Sequence, residues 1–194
     1  MRHAACMVLV LLALAGVARA QEPDKRPTTP PATSGARTGV TPLSGEPAIM
    51  SQLYVGERAP AFELDGSRGR RVRLTDQRGS WVLLVFASVR GKLGGLREVQ
   101  ADLDTLGVRA FGICNDGPNA LKTFAERQAL AFELLSDATG EISQLYGLYD
   151  SRAGLTQPGF VVVDRRGIVR TAVLGQSLAV KDLLGMVKTS VTGS

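Results

Sequence analysis

The segment Trp81-Val82-Leu83-Leu84-Val85-Phe86 is a run of six apolar residues with no charged side chain. Apolar residues at consecutive positions, rather than at alternate ones, are typical of a strand that is buried on both faces. Such a strand lies inside a sheet that other elements cover on each side. The run therefore predicts the central strand of an α/β domain.

The residues after this run predict a strand-helix-strand unit. A glycine-rich turn follows Phe86, and apolar residues then recur at spacings of three and four, which is typical of one helix face. These residues are Leu96, Val99, Leu103 and Leu106. Gly107 ends the helix, and Val108 to Ile113 form a second apolar run. We expect this second strand to be parallel to the first, with a right-handed crossover.

Further elements are predicted in the second half of the chain. Gly117-Pro118 begins a helix that ends near Ala129, since proline is tolerated in the first turn of a helix. A short strand around Phe132 to Leu134 follows, and then a helix that carries Ile142, Leu145 and Tyr146. The pattern thus continues to alternate between strands and helices.

A hairpin and a last helix complete the predicted domain. The β-rich runs Phe160 to Val163 and Ile168 to Leu174 are separated by Asp164-Arg165-Arg166-Gly167, a spacing that favours a hairpin. The closing helix has an apolar face made of Val180, Leu183, Leu184 and Val187. We therefore predict one α/β domain over residues 51–190, with a mixed central β-sheet that is flanked by helices.

The segment before this domain has the features of an export signal and a tether. Residues 1–20 contain Arg2 and His3, an apolar run from Met7 to Val17, and the small-residue cleavage site Ala18-Arg19-Ala20. The run is too short to span a membrane. Residues 21–50 are rich in Pro, Thr, Ser and Gly, which predicts a disordered linker. We expect a periplasmic or extracellular protein without a membrane span.

Removal of the signal would exclude several types of catalytic and metal site. It would take away His3, the only histidine, and Cys6, so that Cys114 would be the only cysteine. A Ser-His-Asp triad, a histidine metal site and an intramolecular disulfide are then excluded, and we predict neither a metal nor a cofactor. Loss of Arg2 and Arg19 would reduce 23 basic residues to 21, against 18 acidic residues. That surplus is too small to indicate nucleic-acid binding.

Several segments of the domain resemble the redoxin branch of the thioredoxin superfamily. The branch includes peroxiredoxins of the alkyl hydroperoxide reductase and thiol-specific antioxidant (AhpC/TSA) type. The segments that carry the resemblance are VGERAPAFEL at 55–64, VRLTD at 72–76 followed by Gly79, LSD at 135–137, LYG at 145–147, FVVVD at 160–164 and GIV at 167–169. The resemblance implies a thioredoxin-like fold and relatives that reduce peroxides or disulfides through thiols.

The same resemblance implies that the family's reactive groups are missing. The positions that correspond to its active-site proline, threonine, peroxide-attacking cysteine and glutamate hold Ser88, Lys92, Gly95 and Glu98, and only the glutamate is kept. The position of the activating arginine holds Gln157. Because glycine has no side chain to ionise, Gly95 cannot attack a peroxide. These five residues form a vestigial active site.

The turn before the helix has two interpretations. Its glycines could let backbone N–H groups face a ligand, and its two basic side chains could attract an anion. The residues of this possible anion site are Arg90, Lys92, Gly94 and Gly95. Alternatively, the segment drifted toward small, solvated residues after catalysis was lost.

Cys114 leads to the second functional hypothesis. It follows the second predicted strand, at the sheet edge where open α/β sheets bind ligands, and a helix begins just after it. That helix could lower the pKa of the thiol, although a buried cysteine commonly packs as a small apolar residue. The favoured hypothesis is a non-catalytic domain that binds a protein partner or a small anionic ligand. The alternative is a low-activity thiol oxidoreductase or peroxidase that uses Cys114.

Overall fold

A computed structural model of the protein describes residues 53–87 and 92–193. The predicted signal peptide and linker, together with Ser88 and Arg90, lie outside the described residues. Lys92 and Gly94 are described only by their place in a helix. Within the described ranges, no helix is long and apolar enough to cross a membrane.

Nine strands and four α-helices make up the described domain. The strands β1 to β5 are Glu63–Gly66, Arg71–Arg73, Trp81–Phe86, Val108–Cys114 and Glu133–Ser136. The strands β6 to β9 are Tyr149–Asp150, Leu155–Thr156, Gly159–Val163 and Val169–Leu174. The helices α1 to α4 are Gln100–Thr105, Pro118–Arg127, Glu141–Leu145 and Val180–Thr192, and two 3-10 helices cover Leu74–Gln77 and Lys92–Val99.

Seven of the strands form one mixed sheet in the spatial order β2-β1-β5-β4-β3-β8-β9, whereas β6 and β7 pair separately. Strand β3 lies parallel to β4, with Trp81 opposite Val108, and antiparallel to β8, with Leu84 opposite Val161. β4 is also parallel to β5. The mixed sheet with flanking helices is the fold that the sequence predicted.

The central strand β3 separates two apolar cores. Leu83 belongs to the cluster that contains residues of α1, α2 and α4, whereas Leu84 belongs to the cluster on the other face, with Phe62 and Tyr146. Both leucines are completely inaccessible to solvent. Burial of a leucine side chain is worth about 1.5–3 kcal/mol, so the uninterrupted apolar run stabilises both layers.

The helix after β3 differs from its prediction. Lys92–Val99 is a 3-10 helix, and the α-helix begins only at Gln100. Two adjacent glycines, Gly94 and Gly95, lie in the 3-10 segment, and glycine is a poor α-helix former. Gly107 follows the helix with a φ of 67°, a left-handed conformation that glycine adopts without steric cost.

Other differences are small. Strand β5 begins at Glu133 and extends to Ser136, one to two residues later than predicted, and β9 begins at Val169. Leu145, which the sequence placed on a helix with core residues, is exposed at the end of α3, whereas Tyr146 is completely buried. The helix is short, and the apolar side chain that enters the core is the one at its C-cap.

Candidate active site

The predicted vestigial site lies at the carboxyl end of the central parallel strands. β3 ends at Phe86 and β4 at Cys114, and the 3-10 helix that contains Gly95 follows β3 along the chain. Ligands of open α/β sheets bind at this edge. The position of Gly95, the cavity beside it and the thiol of Cys114 decide what the site can do.

Gly95 is closely approached by the first residue of α4. A Cβ atom built on Gly95 would lie 2.7 Å from Cγ2 of Val180. Carbon atoms of neighbouring side chains do not normally approach so closely, and the branched valine side chain has few rotamers into which it can move. The space that a side chain on residue 95 would need is therefore filled by an apolar side chain of the closing helix.

A cleft of about 380 Å³ lies beside this contact. The last residues of β3, the 3-10 helix, the beginning of β8 and the N-terminal turn of α4 form its walls. Its apolar lining includes Phe86, Leu96, Pro158, Phe160, Val180 and Leu183, and its polar lining residues are Thr156, Gln176 and Ser177. Among the described residues that line the cleft, none is charged.

Cys114 lies in the apolar core. Its side chain is completely buried, in the cluster that also contains Leu93 and Leu134. Burial raises the pKa of the Cys114 thiol to about 12, and the negative charge of Asp116 contributes in the same direction. The hypothesis that a helix start lowers this pKa is therefore wrong, because removal from water disfavours the thiolate.

Two further residues of the vestigial site, Gln157 and Glu98, have described side chains. Gln157 is partly exposed, its side-chain amide donates to Oδ2 of Asp150 over 3.4 Å, and it does not line the cleft. Glu98 is exposed on the 3-10 helix. Gly95, Gln157 and Glu98 do not line the cleft themselves, and Gly95 is connected to it through its contact with Val180.

A buried polar network lies between the cleft and α3. The carboxylate of Asp137 accepts hydrogen bonds from the backbone N–H groups of Ile142 (3.1 Å) and Ser143 (2.7 Å) and from the Ser143 hydroxyl (2.7 Å). The Ser143 and Thr156 hydroxyl oxygens are 2.8 Å apart. Since the single hydroxyl proton of Ser143 is used on Asp137, Thr156 must be the donor to Ser143.

The residues of this network were only partly visible in the sequence. Asp137 belongs to the LSD segment that carried the family resemblance, whereas Ser143 and Thr156 have no sequence pattern that marks them. The backbone N–H of Thr156 also donates to Oδ1 of Asn115, just after β4. The network therefore joins the ends of β4 and β7 to α3 and fixes Thr156 at the wall of the cleft.

Tyr146 anchors the opposite face of the sheet. Its hydroxyl donates to the carbonyl of Pro60 over 2.8 Å, and its ring lies 5.1 Å from that of Phe86. Burial raises the pKa of Tyr146 above its usual range. The described residues contain no group of three His, Cys, Asp or Glu side chains that could hold a metal ion.

The fold and the site are those of a thioredoxin-like protein of the peroxiredoxin type. The features that indicate this class are the sheet order, the helix after β3 and the LSD segment, whose Asp137 caps the N–H groups of α3. A solved structure, Enterococcus faecalis AhpC, superposes with a TM-score of 0.65 at 20% identity, over 70% of this chain and 91% of the other. That likeness supports the fold.

Sequence comparison gives the family. The pattern of the AhpC/TSA family matches residues 55–172. Alkyl hydroperoxide reductase E of Mycobacterium tuberculosis is 35% identical over 139 residues, which cover 67% of this chain and 91% of that protein. A putative peroxiredoxin bcp of Haemophilus influenzae is 36% identical over 109 residues, 53% of this chain and 70% of that protein. The chain belongs to the AhpC/TSA family.

Proposed function

We propose that this chain is an exported member of the AhpC/TSA family that does not reduce peroxides and acts as a binding domain through its vestigial active site. The relatives are named for peroxide reduction, a reaction that in this family depends on a cysteine thiolate. In this chain the corresponding position is Gly95. Export is inferred from the features of residues 1–20.

The contact between Gly95 and Val180 carries the proposal. If Gly95 were a recent replacement in an otherwise intact site, the space of the lost side chain would remain open. Instead, Val180 lies 2.7 Å from where that side chain would begin. The closing helix has adapted to the absence of a side chain, which favours a site that has served another purpose.

The alternative nucleophile has little support. A thiol must ionise and meet its substrate in order to react, and Cys114 is buried with its pKa raised to about 12. At neutral pH the thiolate would be a very small fraction of the thiol. An active Cys114 would require β4 and the helices that cover it to separate, which would cost much of the core.

Peroxide consumption tests the proposal. The mature protein, residues 21–194, is assayed with hydrogen peroxide and an alkyl hydroperoxide in the presence of dithiothreitol, beside Cys114→Ser and a cysteine-containing peroxiredoxin as positive control. We expect both forms to match buffer. If the wild type consumed peroxide and Cys114→Ser did not, the proposal would be overturned and Cys114 would be established as the nucleophile.

Export is tested separately, by mass spectrometry of cell fractions from a Gram-negative host that expresses the full chain. We expect a protein that begins at Gln21 in the periplasm or medium. A cytoplasmic protein that retains residues 1–20 would contradict this part of the proposal.

A further inference from the structure

We propose that the cleft between the 3-10 helix and α4, called here the Gly95 cleft, binds a small uncharged molecule with an apolar body of about two aromatic rings and one hydroxyl group. The proposal rests on the proposed function, since it requires a site that no longer turns over peroxide. It names the class of ligand that the site takes.

The size of the cleft sets the size of the ligand. Small-molecule sites usually have volumes of about 300–1,000 Å³, and the Gly95 cleft, at about 380 Å³, is at the lower end of that range. A protein cavity of about 150 Å³ is enough for one benzene ring. The Gly95 cleft therefore has room for roughly two such rings, or for an aliphatic body of similar volume.

The lining excludes charge from the body of the ligand. Phe86, Phe160 and Leu183 are buried residues of the cleft wall, and Val180 covers the place above Gly95. No described side chain of the lining carries a positive charge that could pair with an anion. A carboxylate in this cleft would lose hydration without gaining an oppositely charged partner, which is costly, whereas an apolar ring would gain by leaving water.

The polar groups at the wall favour a hydroxyl on the ligand. The hydroxyl proton of Thr156 is committed to Ser143, so its oxygen can only accept a hydrogen bond from a ligand. The N-terminus of α4 offers hydrogen-bond donors instead. Its N-cap residue, Ala179, has no side-chain cap, so the first N–H groups of the helix can donate. A ligand hydroxyl can donate to the Thr156 oxygen and accept from an N–H group of α4, whereas a carboxylate can only accept.

This inference replaces the small anion that the sequence suggested. That expectation depended on the side chains of Arg90 and Lys92, which lie outside the described side chains. The described walls are uncharged and offer Thr156 only as an acceptor. The neutral ligand is the better match to this lining, and the two chemistries can be separated by a matched pair of probes.

The probes are 2-naphthol and 2-naphthoate, which share the two-ring body and differ in the charge of the polar group. Binding to residues 21–194 is measured by isothermal titration calorimetry at pH 7, and the site is located by methyl chemical-shift changes in the wild-type protein. We expect 2-naphthol to bind 1:1, at least about tenfold more tightly than 2-naphthoate, a difference of about 1.4 kcal/mol. The shifts should centre on Val180 and Leu183.

Two matched substitutions localise the binding. Ser177 lines the cleft on an exposed loop, whereas Ser151 is exposed and does not line it. Ser177→Trp should fill the cleft and weaken 2-naphthol at least about tenfold, and Ser151→Trp should leave the affinity unchanged. Circular dichroism and the melting temperature verify that both variants are folded.

Three results would overturn the inference. Tighter binding of 2-naphthoate would establish an anion site instead, and shifts away from Val180 and Leu183 would place the ligand elsewhere. Absence of 2-naphthol binding would refute the proposed class of ligand. The proposed absence of peroxidase activity would not be affected, because the peroxide assay tests it separately.

Discussion

Cγ2 of Val180 lies 2.7 Å from the point at which a side chain on Gly95 would begin. The two residues are far apart in the sequence, and the closing helix brings them together at the carboxyl end of the central strand. This contact joins Gly95, which the family resemblance predicts to replace the cysteine, to Val180 in the wall of the apolar cleft. The proposed absence of catalysis and the proposed binding site both depend on this contact.

A cysteine introduced at Gly95 should conflict with Val180. We expect Gly95→Cys to lower the free energy of unfolding by about 1–3 kcal/mol, as overpacking typically does. In a Val180→Ala background the same change should cost at least about 1 kcal/mol less. Urea unfolding of the wild type, both single variants and the double variant measures the coupling. Equal costs in the two backgrounds would show that the valine does not restrict residue 95.

The buried thiol of Cys114 should make stability fall at high pH. Its pKa is raised by burial from 9.0 to about 12, so between these values the unfolded chain loses a proton that the folded protein keeps. Unfolding then becomes easier as pH rises above about 9, by up to about 1.4 kcal/mol per pH unit. The unfolding free energy of the wild type, minus that of Cys114→Ala, should decline from pH 9 upward. A constant difference would contradict the shift.

Reactivity toward a thiol reagent provides an independent check on Cys114. In residues 21–194, where Cys114 is the only cysteine, we expect 5,5′-dithiobis(2-nitrobenzoate) to label the folded protein very slowly at pH 8 and the urea-unfolded protein within seconds to minutes, because the thiol is inaccessible in the fold. Labelling of the native protein at the rate of a free thiol would show that β4 opens readily.

The sequence predicted the elements whose signal is local. The uninterrupted apolar run of β3 required burial on both faces, and Leu83 and Leu84 indeed lie in different cores. Gly107 marked a helix end because few other residues adopt its positive φ. Local patterns could not separate an α-helix from a 3-10 helix over Lys92–Val99, since apolar residues three apart suit both.

The parts of the site that were missed depend on contacts between distant segments. No periodicity indicates that Val180 covers Gly95, or that Thr156 donates to Ser143. The direction of the Cys114 pKa shift was also missed, because a residue at a strand end can be exposed or buried according to the helices that cover it. The strands β6 and β7 are only two residues long, too short to form a pattern.

The cap of α3 should be sensitive to the loss of one charge. Asp137 is buried and accepts three hydrogen bonds, two of them from the backbone. Asp137→Asn keeps the shape but replaces a charged acceptor with an amide, and we expect a loss of about 1.5–3 kcal/mol of unfolding free energy. Asp65→Asn is the matched control, since the Asp65 carboxylate is half exposed and pairs with Arg71 on the surface. Similar, small effects of the two changes would refute a structural role for the cap.

The hairpin turn between β8 and β9 should lose stability in acid. Burial alone would raise the pKa of Asp164. The carboxylate is stabilised, however, by the N–H of Ile168, the guanidinium of Arg170 and the N–H of Arg166. The net result is a pKa below its usual 3.8. A lowered pKa means that the unfolded chain takes up the proton first, so the contribution is present above about pH 4 and is lost as pH falls below it. Acid unfolding of the wild type and of Asp164→Asn measures the effect. The wild type should be the more stable protein at pH 6, and the unfolding free energies of the two proteins should converge below pH 4. A difference that persists at pH 2 would mean that the carboxylate acts through its shape and not through its charge.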